Sequence, residues 1–78
     1  MKKSYQVRMR ELREDRDLTQ KEVAAILDIT QQTYALYEIG ERELPIRHLI
    51  VLVKYYKISA DYFLGLTKAD KAGHSADR

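Results

Sequence analysis

With 78 residues and no cysteine, the chain is sized for one small domain and offers no disulfide, no thiolate metal site and no cysteine nucleophile. No apolar run approaches the ~20 residues of a membrane span, and the opening MKKSYQVRMREL turns charged where a secretion signal would be apolar, so a cytoplasmic protein is expected. The formal net charge is +2, and it gathers at the start: residues 1–16 hold Lys2, Lys3, Arg8, Arg10, Arg13 and Arg16 against Glu11, Glu14 and Asp15. Such a segment suits an anionic partner such as nucleic acid, and equally a solvated helix face laced by i,i+4 ion pairs.

Turn signals divide the chain into five short helical segments without strand-like alternation, so the predicted fold class is all-α. The first helix is expected over residues 5–16, capped by Ser4 and burying Tyr5, Met9 and Leu12. Thr19 stands three residues before Glu22, a capping-box pattern that opens a second helix, TQKEVAAILD, with Val23, Ala24 and Leu27 inside. Asp28 and Ile29 interrupt the pattern. Thr30 then caps a third helix that ends at Gly40, suited to a left-handed stop.

At 100° per residue, Tyr34, Tyr37 and Glu38 fall on one side of this third helix and Gln32, Ala35, Leu36 and Ile39 on the other. Pro45 begins a fourth helix to about Lys57, because a proline in the first turn lacks only an N–H that would be unpaired anyway. Leu49, Leu52, Val53 and Tyr56 form its expected core stripe, and His48, Val51 and Tyr55 a second stripe. Ser59 caps a final turn, ADYFLG, closed by Gly65. Beyond Leu66, TKADKAGHSADR has nothing to bury, so the expected division is a domain over 1–66 and a flexible C-terminal tail over 67–78.

Two short helices joined by a tight turn, with small Ala24 in the first, fit a helix-turn-helix in helices 2 and 3. The stretch LREDRDLTQKEVAAILDITQQTYALYEIGERELP resembles the helix-turn-helix of the Cro and phage-repressor family (XRE type), and LIVLVKYYKISADYFLGLT resembles that family's fourth and fifth helices. The most specific parts are LTQ, the E-x-G-x-R-x-x-P run through Glu38, Gly40, Arg42 and Pro45, and the IS-x-DYFLG ending. The resemblance implies a compact five-helix, lambda-repressor-like domain that binds double-stranded DNA without a cofactor. It also implies an Arg13–Glu38 ion pair tying helix 1 to helix 3, with an edge of Arg13 facing phosphate.

In that family helix 3 enters the major groove by its N-terminal end, where this chain has Thr30, Gln31 and Gln32. A glutamine amide pairs with adenine N6 and N7, and Ala35 and Leu36 suit thymine methyl groups. Gln20, at the start of helix 2, is placed to hold a phosphate with the helix N–H groups, and Arg42 is the base available in the loop after helix 3. Related repressors dimerise through their C-terminal region, which here places Val51, Tyr55, Tyr62 and Phe63 at a homodimer interface. Two departures stand out. Asp28 occupies a turn position where glycine is common, and residues 28–45 hold one base against four acids, so non-specific affinity should be low.

Nothing suggests an enzyme, a metal site or a small-molecule ligand: His48 and His74 lack a third ligand at metal spacing, and no glycine-rich loop cradles phosphate. The expectation is a sequence-specific transcriptional regulator that is the whole protein. With no further domain after the helices, repression by occupancy is the simplest mechanism. The alternative is a protein-interaction module, such as an antitoxin or accessory subunit, that uses its apolar faces including Leu36 and Ile39.

Overall fold

Short helices leave four N–H groups unpaired at each start, and this chain covers them with hydroxyls. In the computed structural model, which describes residues 4–67, Ser4 accepts from the Val7 amide at 3.4 Å and Thr19 from Glu22 at 3.0 Å. Thr30 accepts from Thr33 at 3.1 Å and Ser59 from Tyr62 at 3.0 Å. Each such cap is worth ~1 kcal/mol. The Thr19 cap is a complete capping box, since the Glu22 carboxylate accepts in return from the Thr19 amide at 2.8 Å.

The caps open α1 (Tyr5–Asp15), α2 (Gln20–Leu27), α3 (Gln31–Ile39) and α5 (Ala60–Phe63); α4 (Ile46–Tyr56) has no side-chain cap. Among the described residues there is no strand, and the fold is all-α with five helices. Pro45 stands at the N-cap of α4, one place before the first turn where the sequence put it. The turn after α2 is made by Asp28 in the left-handed conformation (φ 61°, ψ 44°), and Gly40 ends α3 with φ 83°. Residues 1–3, with Lys2 and Lys3, lie outside the described residues; so does the expected tail, apart from Thr67.

α2 packs on α3, α1 on α3 and α5, and α4 on α2 and α5. Met9, Val23, Tyr34, Leu52 and Phe63 are the largest side chains wholly enclosed between them. Tyr5 stacks on Phe63 with ring centroids 6.3 Å apart, and its hydroxyl accepts from the Leu44 amide at 3.1 Å, fixing the loop before α4.

Two side chains differ from the sequence reading. Phe63, expected at a dimer interface, is fully buried, because the Ser59 cap sets α5 so that Phe63 turns inward against α1. His48, expected on an outer stripe with Val51 and Tyr55, is 7% exposed and packs at 6.0 Å from the Tyr37 ring. Helical geometry explains the second case: His48, Leu52 and Tyr56 are spaced i, i+4, i+8 and so share the buried face.

One polar cluster crosses this core. The Glu38 carboxylate accepts from Arg13 twice, Nε to Oε2 at 2.7 Å and Nη2 to Oε1 at 3.2 Å. It also accepts from Gln20 Nε2 at 3.0 Å and from the Tyr34 hydroxyl at 2.5 Å. Three helices thus meet on one side chain. Burial pushes the Glu38 carboxyl up, but the hydrogen bonds from Arg13, Tyr34 and Gln20 together with the Arg13 charge outweigh it and hold it below the usual range. The same bond to Glu38 raises the Arg13 guanidinium, and burial followed by that carboxylate drives the Tyr34 phenol far upward.

Removing one member of a buried ion pair costs about 3–5 kcal/mol, because the other is left uncompensated. A core this small supplies roughly the same amount in total. Glu38→Ala should therefore leave the domain largely unfolded by circular dichroism, while Tyr34→Phe should lower the urea midpoint and keep the fold. A Glu38→Ala protein as stable as wild type would show the cluster to be idle.

Burial, with the nearby Arg47 charge, holds the His48 imidazole below its usual value of 6.5. Unfolding lets it bind a proton more readily, so its stabilising contribution is complete above that usual value and is lost as pH falls through the depressed one. Urea unfolding free energy should thus decline as pH falls below the usual value of 6.5, and His48→Phe should flatten that decline. An unchanged slope in the variant would remove His48 as its source.

Candidate nucleic-acid interface

The exposed side of α3 is organised by what its other side is doing. Tyr34, Tyr37 and Glu38 are buried, so Gln32, Ala35, Leu36 and Ile39 are turned away from the core. Gln31 and Gln32 are exposed in the first turn, directly after the Thr30 cap, whose hydroxyl also donates to Thr33 Oγ1 at 2.9 Å. Ala35 and Leu36 are half-buried, and Ile39 is 65% exposed. The arrangement presents two amides at the start of a helix and an apolar ridge behind them. It carries no charged side chain.

Gln20 lies across the turn at the first position of α2. Its amide orientation is fixed by the bond to Glu38, which can only accept, and one of its two amide hydrogens remains for a phosphate. Arg13 is placed differently from the expectation. Nε and Nη2 go to Glu38, Nη1 goes to the Leu18 carbonyl at 2.9 Å, and the side chain is 13% exposed. The phosphate-facing edge expected of it is therefore largely closed, and its place is inside the protein.

The other described arginines of the basic N-terminal segment also have protein partners. The Arg8 guanidinium lies 3.9 Å from the centre of the Tyr62 ring, which leaves Tyr62 half-buried beneath it. Arg16 lies over Tyr56 at 4.8 Å and donates to the Tyr56 carbonyl at 3.1 Å. Arg10 pairs with Glu14 at 3.2 Å in solvent. The bases standing exposed beside α2 and α3 are Lys21, next to Gln20, and Arg42, just after Gly40. Lys21 escaped the sequence reading, although its position in the first turn of α2 beside Gln20 was the signal.

Two apolar surfaces lie elsewhere. Val51 and Tyr55 are 39% and 47% exposed, one turn apart on α4, so of the four expected interface residues these two are the ones facing solvent. A second surface was not foreseen. Ile46, 72% exposed, lines a groove of about 250 Å³ whose walls include Tyr5, Leu49 and Leu64, and Leu66 is 69% exposed. Among the described residues no group of three His, Cys, Asp or Glu side chains could hold a metal ion, and no helix is long and apolar enough to cross a membrane.

The profile of the helix-turn-helix family matches residues 9–63, from within α1 to the end of α5. The uncharacterized HTH-type transcriptional regulator YobD of Bacillus subtilis (strain 168) is 36% identical over 63 residues, covering 81% of this chain and 56% of YobD. The chain thus spans a little over half the length of that relative. No solved structure matches it. With α2 packed on α3 across a left-handed turn at Asp28 and the match spanning residues 9–63, the chain belongs to the XRE-type helix-turn-helix family.

Proposed function

We propose that the protein is a sequence-specific transcriptional regulator that binds double-stranded DNA in the cytoplasm, most simply as a repressor, and acts as a homodimer on a pseudo-palindromic operator. The observation that carries this reading is the exposed Gln31–Gln32 pair at a capped helix start whose opposite face is locked by Glu38. A glutamine amide offers a donor and an acceptor to one base edge, and here it projects from a helix whose own placement is fixed. Gln20, Thr30, Lys21 and Arg42 flank it as phosphate contacts, and Arg13 contributes by holding Glu38.

Dimerisation has support in the apolar surface that the fold leaves uncovered. Val51 and Tyr55 keep their proposed place in the interface, and the separate surface of Ile46 and Leu66 is left for other contacts. Two copies would set their α3 helices about 34–36 Å apart, one turn of DNA. The exposed Ile39 and the acidic loop from Glu41 to Glu43 favour the second reading, a module that holds a protein partner.

Selection from a randomised duplex pool separates the two. A two-fold-related motif supports the operator binder, and a folded sample that retains no sequence at any salt concentration supports the protein-binding module. On the selected site, Gln32→Ala should lose about 1–3 kcal/mol of discrimination at one base pair, whereas Arg42→Ala should weaken all sequences alike and lower the salt slope by about one. Equal loss on every sequence for the Gln32 variant would take it off the list of readers.

In sedimentation with a duplex carrying both half-sites, wild type should bind as two copies per duplex. Tyr55→Glu should reduce this to independent, weaker binding. One copy per duplex for wild type would end the dimer proposal.

A further inference from the structure

α4 carries apolar side chains on two flanks outside the core. Val51 and Tyr55 make one, and Ile46, Leu49, Ile50 and Val53, spaced i, i+3, i+4 and i+7, make the other, with Ile50 47% exposed. Each end of this second flank opens into a hollow, and the two hollows differ in chemistry. The groove at the N-terminal end has apolar walls in Tyr5, Leu44, Ile46, Leu49 and Leu64 and one charged residue, the acid Glu43. That combination fits a lysine, whose apolar stem lies along such walls while its ammonium meets the acid. The hollow at the C-terminal end, of about 410 Å³, is lined by Val53 and Ile58 together with the bases Lys54 and Lys57. It fits an apolar side chain beneath lysine stems.

Each hollow therefore matches what the opposite end of the same flank projects. Ile50 stands midway: Glu43 and Lys57 lie seven residues to either side of it, Ile46 and Lys54 four. A two-fold contact requires a surface complementary to itself, and this one is. With two α4 helices antiparallel and Ile50 on the axis, Lys57 of each copy meets Glu43 of the other, and each Ile46 enters the hollow at Val53 and Ile58.

We propose that this flank is a second self-contact, distinct from the one at Val51 and Tyr55, through which one operator-bound dimer holds the next. α4 has 11 residues and is about 16 Å long, so the strip falls well short of the ~800 Å² per partner of a stable interface. The contact is weak between free copies and takes hold when DNA sets dimers side by side and raises their effective concentration. The linking of dimers rests on the duplex-binding reading above; the self-contact does not.

A chain without cysteine makes the contact readable in the absence of DNA. Ile50→Cys places a thiol on the axis, and under mild oxidation it should give a disulfide-linked dimer faster than Ala25→Cys, a control on the exposed side of α2. In the Ile50→Cys background, Glu43→Lys and Lys57→Glu should each slow the reaction about fivefold, and the two together should restore it. On duplexes carrying two adjacent operators at spacings stepped by one base pair, wild type should fill the second site about tenfold more tightly than the first at a favourable spacing. Ile50→Gln, checked for helical content, should lose that gain and keep its affinity for a single operator. Cross-linking of Ile50→Cys no faster than of Ala25→Cys, or charge reversals that do not restore each other, would overturn the self-contact and leave duplex binding intact. Independent filling at every spacing would overturn the linking of dimers. A folded wild type that binds no duplex would remove the parent reading and the linking with it, while the cross-linking still decides the contact.

Discussion

Glu38 is the point on which this domain turns. Its two oxygens accept four hydrogen bonds from α1, α2 and α3, so a single carboxylate fixes the relative placement of the three helices around the candidate interface. Apolar packing alone is tolerant of small slides between short helices. Hydrogen bonds to a buried charge are not, because an ångström of slip leaves donors unpaired in a low-dielectric setting. A polar cluster of this kind adds little net energy over a well-packed apolar one, and its value lies in setting geometry.

The surrounding core shows why such fixing matters. The helices are short, with α2 of 8 residues and α3 of 9, below the length at which isolated helices persist. They hold their shape through hydroxyl caps and through side chains shared between elements: Tyr5 joins α1 to the loop before α4 and to Phe63, and Arg16 joins α1 to Tyr56. Arg8 over Tyr62 adds a link from α1 to α5. Among the described bases near the N-terminus, Arg8, Arg13 and Arg16 therefore serve as links between helices, and Lys21 and Arg42 stand exposed beside α2 and α3.

Much of this was legible in the residues. Hydroxyls before helical runs gave the caps, because capping depends on neighbours three residues apart and on nothing distant. The inward turn of Tyr34, Tyr37 and Glu38 followed from helical spacing. That Glu38 meets Arg13 came only from the family resemblance, since a pair 25 residues apart has no local signature. His48 is spaced helically from Leu52 and Tyr56 as well as from Val51 and Tyr55, and spacing alone does not choose between the two stripes. Phe63 was misplaced because a four-residue helix is too short for periodicity to choose among Tyr62, Phe63 and Leu64. The partners of Arg8 and Arg16 are aromatic rings contributed from far along the chain, and composition shows a cation without showing what it rests on.

On α3, the residues that hold the helix in place and the residues that face outward are different sets: Tyr34, Tyr37 and Glu38 on one side, Gln31, Gln32, Ala35 and Leu36 on the other. No outward side chain takes part in the Glu38 cluster. Substitution at exposed Gln31 and Gln32 consequently leaves the contacts that seat the helix intact. The helix thus keeps its seat and its outward chemistry on separate sets of side chains, so the one can be altered with the other left in place.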